Sequence, residues 1–185
     1  MMTNLQPILD GEGILLRPLR PDDYDALFAA ASDPLIWALH PAHDRYQEPV
    51  FRRFFDKALA CGGALVVVDR ASGGVIGTTR FYFEHVQDPG EVELGYTFLA
   101  RAHWGGATNR ELKRLMLAHA FTFAHTALFS VGEGNLRSRR ALEKIGGRLT
   151  ERRFADEVNG QPVVHLVYAI TADDFARSPL AEPRA

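Results

Sequence analysis

The chain has almost no cysteine. One thiol, Cys61, in 185 residues excludes an internal disulfide and suits a reducing compartment. Cys61 lies at the end of an apolar helical stretch, where it reads as a small helix-end residue rather than a nucleophile. Long hydrophobic runs are missing as well. None approaches the roughly 20 apolar residues that span a bilayer, and the opening MMTNLQPILDGEG lacks the basic start and apolar core of a signal segment. These absences point to a cytoplasmic protein with no membrane partner. A net charge of -2 leaves no basic field for nucleic acid. The seven histidines show no HExxH or comparable spacing and there is no cysteine pair, so no metal site is expected. A GxGxxG fingerprint and a Walker A lysine are also absent, which argues against a dinucleotide fold or a P-loop. There is no internal repeat and no low-complexity segment.

What the chain does have is enough apolar residue, 46% of 185, for one well-buried core. A single domain over residues 1–185 is expected, with its core at 13–176 and a flexible tail at 177–185. The most informative stretch runs from Glu91 to Phe123. Glu91 to Leu99 is rich in Val, Leu, Tyr, Thr and Phe and predicts a strand. From Thr108 the period changes, and Leu112, Leu115, Met116, His119 and Phe123 share a helical face. Thr108 and Glu111 have the spacing of a capping box. Between strand and helix lies Trp104-Gly105-Gly106-Ala107. Glycines and a helix start together offer free amides and a positive dipole end, a site for an anion such as phosphate.

Around this stretch the pattern reads as a strand at Gly13 to Leu19, helices from Pro21 and Pro49, and an antiparallel meander from Ala64 to Leu99. After the long helix come a strand at Ala127 to Gly132, a helix capped by Asn135, and a hairpin turning at Asn159-Gly160. The fold class is mixed α/β with one central sheet. The loop Pro34 to Tyr46, carrying Trp37, His40, His43 and Tyr46, either lines a pocket or packs on the core.

These residues resemble the GCN5-related N-acetyltransferases (GNAT), and within them the group of the ribosomal-protein N-terminal acetyltransferases (RimJ/RimL type). The resemblance covers about Gly13 to Ile170. One motif is Trp104-Gly105-Gly106-Ala107 after ELGYTFLAR, similar to the family's phosphate loop, although the family's Gln/Arg position falls on Ala102 with Arg101 one place early. The other is Asn135-Leu136-Arg137-Ser138 before Ala141, Leu142 and Gly146, where many relatives carry a tyrosine acid at the position of Leu142. The resemblance implies a mostly antiparallel sheet of about seven strands with a splayed parallel pair, and acetyl-CoA as donor. It also implies a bulge in the central strand, and a primary amine as acceptor, either a protein N-terminus or a small molecule, of the aminoglycoside type or another small amine. The missing tyrosine keeps open a non-catalytic acyl-CoA-binding or sensing module. Exposed strands near the end of the sheet allow a homodimer.

Acetyl transfer from a thioester to an amine needs a bound carrier, a neutral amine, oxyanion stabilisation and a proton for the thiolate. For the carrier, the backbone of Thr97, Phe98 and Leu99 would hold the acyl arm, and Trp104 to Asn109 the pyrophosphate, Thr108 included. Asn135 would cap the neighbouring helix. Arg110, Lys113, Arg114, Arg137, Arg139 and Arg140 are candidates for a further phosphate, Arg140 among those assigned to the cofactor. Ser138 is the first choice for protonating the thiolate. Glu93 is the best base on the strand, with Tyr96 as its catalytic neighbour, and water relayed from a weak base serves equally well. Trp37, His40 and Tyr82 are assigned to the acceptor, with Glu84 behind them. Direct attack in a ternary complex is expected.

Overall fold

Alternating burial along the strands sets the layers of this protein. In Ala64–Asp69 (β3) the run Ala-Leu-Val-Val-Val is apolar at every position because both faces are covered. Ala64 and Val66 join one core, while Leu65 and Val67 join another. The structure is a computed structural model and describes residues 3–182.

The strands Leu9–Asp10 (β1), Ile14–Pro18 (β2), β3, Val75–Tyr82 (β4), Glu91–Leu99 (β5), Thr126–Gly132 (β6), Arg148–Val158 (β7) and Gln161–Thr171 (β8) form one sheet in the order β1-β2-β3-β4-β5-β6-β8-β7. The sheet has eight strands rather than the expected seven, because the short β1 pairs with β2. All neighbours are antiparallel except β5 and β6, as the resemblance implied. Asn159 and Gly160 take φ of 53° and 72°, the left-handed pair that a tight β7-β8 turn demands.

On one face, Tyr24–Ala31 (α1) and Glu48–Ala60 (α2) bury Tyr24, Leu27, Phe51, Phe54 and Phe55 against Val66 and Phe98. On the other, Thr108–Ala120 (α3) buries Leu112, Met116 and Leu117, and Leu136–Lys144 (α4) adds Leu142, against Leu65, Phe81, Leu94 and Phe129. Ala172–Ala176 (α5) follows β8. Within the stretch 177–185 expected as a flexible tail, Leu180 is instead buried in the α3 core and the carbonyl of Pro179 accepts from Arg110. Residues 183–185 lie outside the described residues.

Two features of β5 position the site. Its pairing with β6 covers only Glu91↔Thr126, Val92↔Ala127 and Glu93↔Leu128, after which the strands part. Its pairing with β4 slips between Thr78 and Arg80, where β5 carries an extra residue, and Tyr96 takes φ of 51°. This is the bulge that the resemblance implied, and it lies just beyond the last β5-β6 pair.

Candidate active site

The gap between β5 and β6 opens into a cavity of about 440 Å³. Its walls come from the β5 bulge, β6, α3, α4, the loop after α1 and the β7-β8 hairpin.

The loop before α3 has the geometry of an anion cradle. Gly105 adopts φ of 72°, which a side chain would strain, and space beside Gly105 and Gly106 is open. The helix begins at Thr108 as expected, but the capping box does not form. Thr108 is the first helical residue and the N-terminus has no side-chain cap. Glu111 instead reaches across to the β1-β2 loop, where its carboxylate accepts from the amides of Glu12 at 2.5 Å and Gly13 at 3.2 Å. The amides from Gly105 to Arg110 consequently have no acceptor among the described residues. Unpaired amides at a helix start are donors for a phosphate.

Trp104 buttresses this loop rather than facing the cavity. Its indole N–H donates to the Leu99 carbonyl at 2.9 Å, and the Arg137 guanidinium stacks on its ring at 4.1 Å. Arg101, one place off the family position, is tied to Asp33 at 2.5 Å. Of the remaining helix arginines, Arg139 donates to the Tyr168 hydroxyl and the Glu133 carbonyl, whereas Arg140 is exposed.

Lys113 is placed quite differently from the phosphate contact envisaged for it. It is 7% exposed, with Nζ 3.3 Å from Thr97 Oγ1 and 5.1 Å from the centre of the Phe129 ring. No carboxylate pairs with it among the described residues, and burial pulls its pKa down to about 8. Thr97 lines the cavity and its hydroxyl also meets that of Thr79 at 2.9 Å. The side chains of Phe98 and Leu99 enter the two cores, so only their backbone is available to a ligand.

On α4, Asn135 caps the helix as expected, its Oδ1 accepting from the Ser138 amide at 3.3 Å. Ser138 and Asn109 line the cavity, with Leu142 beside them. Tyr96 also lines it. Its phenol donates to Glu84 at 3.2 Å, and burial, then the Glu84 charge, push its pKa up to about 12. Tyr82 meets Tyr96 edge-on at 5.1 Å, and burial, reinforced by Glu93, raises its pKa well above the usual phenol value.

Glu93 does not face the cavity. It is fully buried, and its carboxylate accepts from the His85 amide at 2.6 Å, His85 Nδ1 at 3.0 Å and the Ser130 hydroxyl at 3.3 Å. A buried carboxylate needs such partners, and here they leave it no free approach to an acceptor amine. The side chain that lines the cavity in its place is His85. In the neutral tautomer whose Nδ1–H donates to Glu93, Nε2 is left as the acceptor of the ring. His85 stacks on Phe154 at 3.9 Å, and Phe154 on His165 at 5.0 Å. Burial lowers the pKa of His165, and its Nδ1 is buried with no partner among the described residues.

The loop after α1 divides between the two readings given to it. Trp37 packs in the core at 2% exposure and donates its indole N–H to the Ala31 carbonyl, so it does not touch the cavity. His40 and Arg45 do line it. His40 Nδ1 accepts from the Ala42 amide at 2.9 Å, and burial holds its pKa well below the usual imidazole value. Sequence reasoning missed His85, Arg45 and the buried position of Lys113. The available signals were a glutamate within the fully buried stretch Val92-Glu93-Leu94, which demands a partner, and the Lys113-Met116-Leu117-Ala120 stripe of α3.

Comparison with known proteins identifies the family and the fold. Residues 14–148 match the family model of the acetyltransferase (GNAT) domain. No curated protein sequence matches. A GCN5-related N-acetyltransferase from Brucella melitensis superposes with a TM-score of 0.77 at 23% identity, covering 95% of this chain and 82% of that one. Mycobacterium smegmatis RimJ, solved with CoA-disulfide, gives 0.69 at 21% identity, covering 90% of this chain and 86% of its own. Spermidine N-acetyltransferase from Vibrio cholerae, solved with CoA and spermine, gives 0.67 at 18% identity and covers 90% and 100%. At such identities the likeness is one of fold, whereas the family model spans most of the chain. This protein belongs to the GNAT family of acetyltransferases.

Proposed function

We propose that the protein transfers the acetyl group of acetyl-CoA to a primary amine by direct attack in a ternary complex. The observation that carries this reading is one cavity reached from both sides: Asn109, Lys113 and Ser138 from the unpaired α3 start and α4, and His85, Tyr82 and Tyr96 from the opposite wall. Free amides from Gly105 to Arg110 fit a pyrophosphate, and the parted edges of β5 and β6 fit an extended arm. When bound, the cofactor supplies an activated acetyl group and a thiolate leaving group.

The chain's residues then have separable tasks. His85 accepts the proton of the acceptor amine at Nε2, and Glu93 is the positioning residue that fixes the ring through Nδ1. The parted backbone after Glu93 offers amides to the charge that develops on the carbonyl oxygen. Ser138 gives its hydroxyl proton to the departing sulfur. Tyr96 remains protonated at neutral pH, its pKa being about 12, so Tyr96→Phe tests it as the alternative donor. Cys61 is exposed at the end of α2 and makes no contribution.

A thiol-release assay across amines and peptides tests the reading. Release of free CoA that depends on an amine supports it. Saturable CoA binding without release from any acceptor would replace it with a sensing module.

A further inference from the structure

Most of the buried or half-buried arginines of this protein have found a partner. Arg17 is bidentate to Asp23 at 2.8 and 2.6 Å, Arg152 meets Glu91 at 2.8 Å, and Arg137 donates to the Ile36 carbonyl at 2.7 Å. Arg45 and Arg80 are different. Arg80 on β4 is only 5% exposed, and Arg45 is half-buried where it lines the cavity. Both flank the ring of Phe54, Arg45 at 4.5 Å and Arg80 at 5.3 Å from its centre. Arg45 also lies 5.0 Å from the Trp37 ring and Arg80 4.0 Å from the Tyr96 ring. Neither guanidinium makes a hydrogen bond or ion pair among the described residues.

Aromatic faces recover part of the cost of burying a cation. They do nothing for the N–H donors, whose planar fork matches a carboxylate. The two guanidiniums also repel one another, and burial together with that repulsion pulls Arg45 down to about 10. The neighbouring carboxylates are used elsewhere. Glu93 is held by His85, and Asp44 accepts from Asn159 at 2.9 Å; of the two carboxylates that line the cavity, Glu84 accepts the Tyr96 phenol and Asp156 accepts from the Glu157 amide at 2.7 Å. The pair is built for an anion that the chain itself does not supply.

Its position says which molecule carries that anion. Arg80 is the register partner of Gly95, and its guanidinium lies over Tyr96, the bulged residue just past the end of the β5-β6 pairing. Arg45 and Tyr96 line the cavity, and Arg80 stands against the Tyr96 ring on the α1-α2 face, the face opposite α3, which is taken as the acceptor side. We propose that Arg45 and Arg80 form a carboxylate subsite, and that the acceptor is a small amino acid whose amine lies a few bonds from its carboxylate. A cavity of about 440 Å³ that also admits the acyl arm suits a small acceptor. The inference rests on the reading of this cavity as the acetyl-transfer site.

The test uses the common L-amino acids against their α-amides, which share the side chain and lack the anion, with rates compared per neutral amine because the amide also lowers the amine pKa. In thiol release by the intact protein, kcat/KM for the preferred acid should exceed that for its amide by about tenfold or more. In Arg45→Gln that ratio should fall to near one, with thermal unfolding reporting that the variant is folded; Arg80→Gln provides the second case. An amide, a peptide amide or spermidine turned over as well as the best acid overturns the proposal. If no amine supports thiol release, the acetyl-transfer reading fails instead, and calorimetry on the CoA-loaded protein decides the subsite separately. N-acetyl amino acids binding more tightly than their amides, with the difference lost in Arg45→Gln, supports the subsite; equal binding across the panel overturns it.

Discussion

At the scale of single residues, the site is a set of polar groups whose partners decide what they can do. Glu93 does not line the cavity and meets it through His85 and Ser130, of which His85 carries the ring nitrogen. His85→Ala should therefore lower kcat by about 10²-fold or more, the usual worth of a positioned base, without changing CoA affinity. Glu93→Gln should lower kcat too, and the His85→Ala/Glu93→Gln double variant should be no slower than His85→Ala alone. Additive losses would show that Glu93 acts by structure and not through the imidazole. Ser138→Ala should reduce turnover by well over tenfold, whereas an unchanged rate, with Tyr96→Phe inactive, would move the proton donor to the phenol. Lys113 carries a prediction about stability. Its pKa falls from 10.5 to about 8 on folding, so the folded chain holds this proton less tightly than the unfolded one. Below about pH 8 the buried ammonium costs roughly 3 kcal/mol, and the cost fades as pH rises toward 10.5. Lys113→Met should raise the unfolding midpoint at neutral pH, with the gain shrinking across that window. A gain independent of pH would place its origin in packing instead. Residues read from local pattern, such as Asn135, are found as expected because capping depends on a few neighbours in sequence. His85 and Arg45 were not legible, because a hairpin loop and a crossing loop bring them to the cavity from distant parts of the chain.

At the scale of elements, α3 shows how a helix can be left open at one end. Thr108 and Glu111 have capping-box spacing, yet the carboxylate goes to the β1-β2 loop, a contact spanning most of a hundred residues that no local pattern reveals. Glu111→Ala should cost about 1–3 kcal/mol of stability through the stranded amides of Glu12 and Gly13, while KM for acetyl-CoA changes little. A large rise in that KM would mean that Glu111 organises the phosphate loop after all. Gly105→Ala should behave in the opposite manner. Forcing a side chain to φ of 72° costs about 1–2 kcal/mol, and the distortion falls on the amides, so CoA affinity should drop measurably in calorimetry. The strand-loop-helix order and the hairpin at Asn159-Gly160 were readable from period and turn chemistry, whereas the parallel pair came with the family resemblance. The bulge at Tyr96 was not, since alternation in ELGYTF gives no hint of the slip, and β1 was missed because two residues make no periodic pattern.

At the scale of the whole molecule, the two cores on either face of the sheet account for most of its cohesion, and both reach β5. A ligand that binds only the folded state adds to this: at a hundredfold excess over its Kd, acetyl-CoA should stabilise the protein by about 2.7 kcal/mol, visible as a raised unfolding midpoint. No shift would remove the cofactor assignment. The parted strands have a mechanical consequence as well. Across the middle of the sheet, β1 to β5 are joined to β6, β8 and β7 by pairing at only Glu91, Val92 and Glu93 of β5. The sheet is therefore two sets of strands joined by a short seam, and an extended ligand lying in the gap would act as the missing rung between them. Hydrogen exchange at Leu94 to Leu99 and at Phe129 to Gly132 should slow together when the cofactor binds, so that the molecule is stiffest when it is loaded for reaction.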